Sequence, residues 1–184
     1  LWNDELESVG QSLELPKCSY YLLYYEFSST GRPNLKAGKF GPRLVLRNSS
    51  GNIAIKQKSA YEAHKTLGHL KSPAGIQKVQ LTELKDQSDF LAEVIRRYPF
   101  ERYEAEMIFH AVYLSKLRYT LTTNYYTASQ LDSVQGNALG VFLSRAGYNR
   151  NTARAVVYGP VALGGCGFHR LYYEQGILQI EMFV

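Results

Sequence analysis

Aspartate is scarce in this chain: Asp4, Asp86, Asp89 and Asp132 are the whole set. Two-metal phosphoryl transfer needs carboxylates converging on ions about 4 Å apart. Only Asp86 and Asp89 stand at helical spacing, and with Lys85 beside them they read as a solvated helix face. Cysteine is scarcer still. Cys18 and Cys166 lie far apart, which excludes a zinc knuckle and a disulfide scaffold. The four histidines, His64, His69, His110 and His169, have no metal-ligand spacing. His64 and His69 are five apart in what the pattern makes one strand, which places them on opposite faces. No apolar run reaches the roughly 20 residues that a membrane-spanning helix needs, so no membrane partner is expected. There is no Gly-x-Ser-x-Gly elbow, no phosphate-cradling glycine loop ending in Lys-Ser or Lys-Thr, and no dinucleotide fingerprint. The glycines of Leu163-Gly-Gly-Cys-Gly-Phe168 read as tight backbone packing. An intact active site is therefore not expected, nor a cofactor bound by this chain.

What is present is tyrosine, 15 of 184 residues, against 8 Phe and a single Trp. A tyrosine joins an apolar ring to a hydroxyl that wants a partner, which suits half-buried strands and wet interfaces. Hydrophobic residues make up 45% and charged residues 20%. That balance supplies the apolar surface a disordered chain lacks, so the chain folds. The formal charge of +5 leans toward a polyanionic partner without specifying one. Two distant thiols without a signal peptide fit a reducing compartment, so an intracellular protein, nuclear or cytoplasmic, is expected. The chain opens at Leu1-Trp2 and stops within the apolar Met182-Phe183-Val184, the pattern of an excerpt from a longer protein.

Periodicity predicts an α+β fold: a small antiparallel β unit followed by a helical bundle. Trp2, Leu6, Val9 and Leu13 have helical spacing. Cys18–Phe27 is a continuous aromatic and aliphatic run, expected as a strand buried on both faces. Residues 28–42 read as a connection. Arg43–Arg47 and Ile53–Lys56 flank the turn formers 48–52 as a hairpin, and His64–His69 reads as one further short strand. From Ile76 the period becomes helical. Leu81, Leu84, Ser88, Leu91, Ile95 and Tyr98 share one face. A second helix to about Leu117 is expected to turn Tyr103, Met107, Ile108, Ala111 and Ser115 inward. The third begins at Thr127, an N-cap whose capping box is completed by Gln130. It carries the stripe Leu131, Val134, Gln135, Ala138, Leu139 and Phe142, and stops at Gly147. A last helix starts near Leu171. The resulting division is 1–75 β-rich, 76–147 helical, and 148–184 a basic loop with a C-terminal helix.

Three segments resemble reverse transcriptases of retroelements related to the non-LTR group. Val9–Cys18 is similar to the palm motif just after the catalytic aspartates, with Glu14 where that family often has Asn. His64-Lys-Thr-Leu-Gly68 is similar to the aromatic-Leu-Gly element of the primer-grip hairpin, with Thr66 in place of the aromatic residue. Gly147–Arg154, Val157–Pro160, Gly164–Gly167 and Glu174-Gln-Gly176 resemble the region behind the thumb. The resemblance implies a fragment of an RNA-directed DNA polymerase covering the palm end and a thumb-like bundle. The catalytic aspartates and their Mg2+ would belong to the full-length polymerase. Its partners would be an RNA/DNA template-primer duplex and the upstream palm and fingers of the same polypeptide. The alternative is a non-catalytic nucleic-acid-binding or protein-interaction module derived from such an element.

On this resemblance Lys17 is the palm lysine near the leaving pyrophosphate, a general acid or a phosphate clamp. The residues alone equally allow a lysine at a helix-to-strand turn. Thr66, Leu67 and Gly68 would shape the turn against which a primer end rests; a plain strand with a bulge fits as well. Arg145, Tyr148, Asn149, Arg150 and Arg154 interleave guanidiniums, an amide and a ring beyond a helix end, which is what phosphate contacts and base stacking require. A solvated charged loop is the other reading.

Overall fold

A computed structural model describes residues 8–10, 17–39, 41–48 and 51–183, with 46–48 described by their backbone. The helix expected over 2–13 and most of the Val9–Cys18 motif, Glu14 included, lie outside the described residues apart from a short turn at 8–10. The fold is mixed α and β, and it divides into two units, residues 1–76 and 77–184.

The first unit holds eight short strands among its described residues: β1 (Ser19–Tyr21), β2 (Tyr25–Phe27), β3 (Pro33–Leu35), β4 (Val45–Asn48), β5 (Gly51–Ala54), β6 (Lys56–Lys58), β7 (His64–Thr66) and β8 (His69–Lys71). They pair as four two-stranded ladders rather than one antiparallel sheet. β2–β3, β4–β5 and β7–β8 are antiparallel, whereas β1–β6 is parallel. The run 18–27 is thus not one doubly buried strand. It breaks at residues 22–24, and Tyr25 and Phe27 are exposed, Phe27 by 71%. A two-stranded ladder covers neither of its own faces, so a composition suited to a buried strand ends half open. Tyrosine hydroxyls tie the loops: Tyr20 Oη donates to the Pro42 carbonyl, Tyr21 Oη to that of Glu62 (3.1 Å) and Tyr61 Oη to that of Leu35 (2.8 Å).

The second unit is helical. It contains α1 (Lys78–Arg97), α2 (Arg102–Ile108), a π-helical segment (Phe109–Leu114), α3 (Ser115–Leu121), α4 (Ala128–Arg145), α5 (Arg154–Val157), a 3-10 turn (Val161–Leu163) and α6 (Leu171–Glu181). α1 buries Leu84, Ser88, Leu91 and Ile95 as the stripe requires, while Tyr98 caps it and stays exposed. Ser88 joins the helices: its Oγ donates to the Val134 carbonyl (2.9 Å) and lies 3.0 Å from Tyr113 Oη. In α4, Thr127 Oγ1 accepts from Gln130 N, Gln130 Oε1 accepts from Thr127 N, and the whole expected stripe is buried. Its end is a Schellman motif, with Tyr148 N donating to Leu143 O and Gly147 N to Ser144 O at a Gly147 φ of +82°.

The second helical stripe is corrected by the structure. Tyr103 is 72% exposed, and Met107, Ala111 and Ser115 also face outward; the buried row is Ala105, Phe109, Tyr113, Leu117 and Leu121. That row repeats every four residues. In a straight helix of 3.6 residues per turn it would drift about 40° per step. The wider π segment in its middle offsets the drift and keeps one face inward. The core gathers Phe109, Tyr113, Phe142 and Phe168, with edge-on and stacked rings 4.7 to 5.3 Å apart. Residues after 147 belong to this same unit: Val157, Phe168 and Leu171 are buried in its core. Gln175 pins α6 by accepting from Tyr126 N and donating to Tyr126 O, both at 3.0 Å.

Candidate nucleic-acid interface

In the first unit, Lys17, Cys18 and Ser19 line a cleft of about 340 Å³ together with Lys56 and Lys58 from β6 and His64 and Lys65 from β7. The register explains the convergence. β1 and β6 run parallel with Ser19 opposite Lys56 and Tyr21 opposite Lys58, and residues two apart on a strand share a face. Lys58 Nζ donates to His64 Nδ1 at 2.7 Å, which joins β6 to β7. Four ammonium groups and an imidazole meet here, and no Asp or Glu is among the described lining residues.

The His64–His69 segment is a hairpin rather than one strand. Thr66 pairs with His69 and His64 with Lys71, which leaves Leu67-Gly68 as a two-residue turn. Their φ angles, +48° and +84°, are both positive, as the hairpin turn matched to strand twist demands. Cross-strand partners share a face, so His64 and His69 lie on the same face and not on opposite ones. Leu67 is the single non-glycine residue with positive φ among the described residues, and it is 85% exposed. Burial, with Lys71 adding to it, holds the His69 imidazole below its ordinary pKa. Lys17 and the Thr66-Leu67-Gly68 turn, chosen separately from sequence, therefore fall on one cleft and the hairpin that flanks it.

The arginine-rich loop of the second unit is divided. Arg145 donates to the Arg96 carbonyl (2.6 Å) and Arg150 to Ser144 Oγ (2.8 Å), so both guanidiniums close helix ends. Such cations also meet the negative ends of the helix dipoles. Asn149 accepts from Asn151 N (2.8 Å) and forms a local turn. Tyr148 packs edge-on to Phe168, and burial together with Glu106 raises its pKa. Arg154 is set apart. It lines a second cleft, of about 540 Å³, with Asp132, Gln135, Gly136 and Leu139 of α4, Ala155 and Tyr158 around α5, and Arg170 and Tyr173 at the start of α6.

Sequence reasoning missed most of this second cleft. Its α4 wall occupies positions i, i+3, i+4 and i+7, a signal visible in the sequence, but Asp132 and Gly136 are too ordinary to mark it. Arg170 grips Asp132 with Nε 2.9 Å from Oδ1 and a terminal nitrogen 2.5 Å from Oδ2. Gln135 fixes the approach to α6, donating to the His169 carbonyl (2.6 Å) and accepting from Leu171 N (3.1 Å). A separate network buries Glu174, whose carboxylate accepts from Arg118 Nε (2.6 Å) and meets His169 Nδ1 (2.5 Å). His110, on the π segment, stands edge-on to His169 at 5.2 Å.

Asp89 accepts from Asn137 (2.7 Å) and Asp132 is taken up by Arg170, so these carboxylates serve helix packing. Among the described residues no three of His, Cys, Asp and Glu converge as metal ligands, and no helix is long and apolar enough to cross a membrane. Comparison with models of known protein families, with curated proteins and with solved structures found no match to this chain.

Proposed function

We propose that this chain grips a nucleic-acid duplex by its phosphate backbone, as the part of an RNA-directed DNA polymerase that lies beyond the catalytic aspartates. The observation that carries the reading is the convergence of Lys17, Lys56, Lys58 and Lys65 on one cleft beside the Leu67-Gly68 hairpin. Lysines on neighbouring strands neutralise phosphates without reading bases, which positions a duplex rather than selecting a sequence. The helical unit serves in this reading as the thumb-like part, and Lys17 as a phosphate clamp. The exposed Leu22, Leu23, Tyr24, Tyr25 and Phe27 form a surface for the upstream palm and fingers of the same polypeptide. Polymerisation and its Mg2+ belong to the complete enzyme.

The test is a salt titration of duplex binding by anisotropy, with the unaltered chain and a Lys56→Ala/Lys58→Ala variant. Each phosphate contact contributes about 0.9 to the slope of log affinity against log salt. The variant is expected to bind more weakly, with a slope flatter by about 2. An unchanged slope removes the cleft from the interface.

A further inference from the structure

We propose that the cleft of the helical unit takes one unpaired nucleotide of a single strand, its phosphate on Arg154 and its base on Tyr173. This rests on reading the chain as a nucleic-acid binder, but it uses a different site and a different form of the ligand.

The cleft combines two guanidiniums, two phenol rings, an amide and a carboxylate in about 540 Å³, within the range of small-ligand pockets. The two arginines differ in how they are held. Arg170 is fixed by both oxygens of Asp132, and its guanidinium carbon lies 5.3 Å from the Tyr173 ring centre and 5.8 Å from that of Tyr172. Its charge is matched by Asp132, so its part is to hold Tyr173 in place and polarise the ring. Arg154 forms no ion pair with a described carboxylate, so it is the surplus cation of the cleft. A planar guanidinium suits a phosphate through paired N–H donors.

Tyr173 is 57% exposed at the rim, with a cation already over its ring. A base stacked on it completes an Arg–Tyr–base pile, the arrangement that sequence-tolerant single-strand binders use. Gly136 on the α4 wall leaves the floor open: a methyl group added there would meet no atom within 4 Å. Tyr158 is half-buried between these groups, with its pKa raised by burial, and its hydroxyl can donate to a second phosphate oxygen.

The test uses the full chain and a fluorescein-labelled thymidine pentanucleotide, followed by anisotropy. Stacking on an aromatic is worth about 1–3 kcal/mol per base, so Tyr173→Ala is expected to weaken binding roughly tenfold. Arg154→Ala is expected to weaken it by a similar factor, and Arg154→Lys to recover part of the loss. An abasic pentanucleotide should bind the unaltered chain weakly and be insensitive to Tyr173→Ala. Because Tyr173 and Arg154 are surface residues, their variants should keep the thermal unfolding temperature of the unaltered chain. Single-strand affinities within twofold of the unaltered chain for both alanine variants overturn the proposal. The two readings fail separately: loss of duplex binding in Lys56→Ala/Lys58→Ala with unchanged pentanucleotide binding supports both, whereas pentanucleotide binding that depends on the two lysines and not on Arg154 or Tyr173 sinks this one alone.

Discussion

Leu67 offers a prediction in which stability and function move in opposite directions. Its φ of +48° places an L-residue where Cβ crowds the following carbonyl, at a cost of about 1–2 kcal/mol. Asparagine tolerates that region, and Asn-Gly is a favoured pair for this two-residue turn. Because Leu67 is 85% exposed, little apolar burial is lost on replacing it. Leu67→Asn is therefore expected to stabilise the first unit by about 1 kcal/mol. For a unit of this size, residues 1–76, that raises its unfolding temperature by about 4–8 °C. Leu67→Ala keeps the unfavourable φ and should gain nothing. Thermal unfolding followed by circular dichroism reads the global change, and amide exchange at β7 and β8 locates it. On the proposed reading, the same Leu67→Asn variant is expected to bind duplex more weakly, because it removes an exposed apolar side chain from the tip of the hairpin that flanks the lysine cleft. A lower or unchanged unfolding temperature would refute the strain argument. A higher temperature with unchanged affinity would leave Leu67 no role in binding.

Two further outcomes concern the end of α4 and two histidines, His69 of the first unit and His110 of the second. Gly147→Ala must hold alanine at φ +82° and set its methyl against the Arg102 guanidinium, so a loss of about 1–2 kcal/mol in chemical denaturation is expected; an unaltered midpoint would contradict the Schellman assignment. His69 and His110 are both held below the ordinary histidine value of 6.5, His69 by burial and Lys71, His110 by burial and His169 with Arg118, against Glu106 and Glu174. The unfolded chain then takes up protons before the folded one, so stability is full above about pH 6.5 and declines as pH falls below it. Unfolding temperatures at pH 7.5 and 5.5 should differ in that sense, and His110→Gln should narrow the gap; a chain more stable at the lower pH would reverse the sign and overturn the assignment.

How legible these elements are depends on how local their signals are. The α4 helix was readable throughout, because the Thr127–Gln130 box, the 131–142 stripe and the Gly147 stop each act within a turn or two. For the helix before it the pattern locates the segment but ends it near Leu117, short of Leu121, and turns the wrong face inward. Its inward row is spaced by four, and a π segment that keeps such a row inward is a response to packing against Phe142 and Phe168, which no local pattern reports. The β7–β8 hairpin reads as one strand in the sequence for a related reason. Its turn is Leu67-Gly68, and leucine at positive φ runs against every propensity that flags such turns.

The candidate sites divide along the same line. Composition drew attention to Arg145, Arg150 and Arg154 together, because guanidiniums clustered beyond a helix end suit phosphates. Yet a helix end also offers acceptors close at hand, and the nearest guanidiniums are taken up there: Arg145 by the Arg96 carbonyl, Arg150 by the Ser144 hydroxyl. Only Arg154, four residues beyond Arg150, escapes to a cleft. The lysine cleft of the first unit was invisible for the opposite reason. Lys17, Lys56, Lys58 and Lys65 are unremarkable where they stand, and it takes the parallel β1–β6 pairing, with the lysine-to-histidine bond onto β7, to gather them. A cluster that is dense in sequence tends to be consumed by local structure, whereas one assembled by strand register shows itself only once the strands are paired.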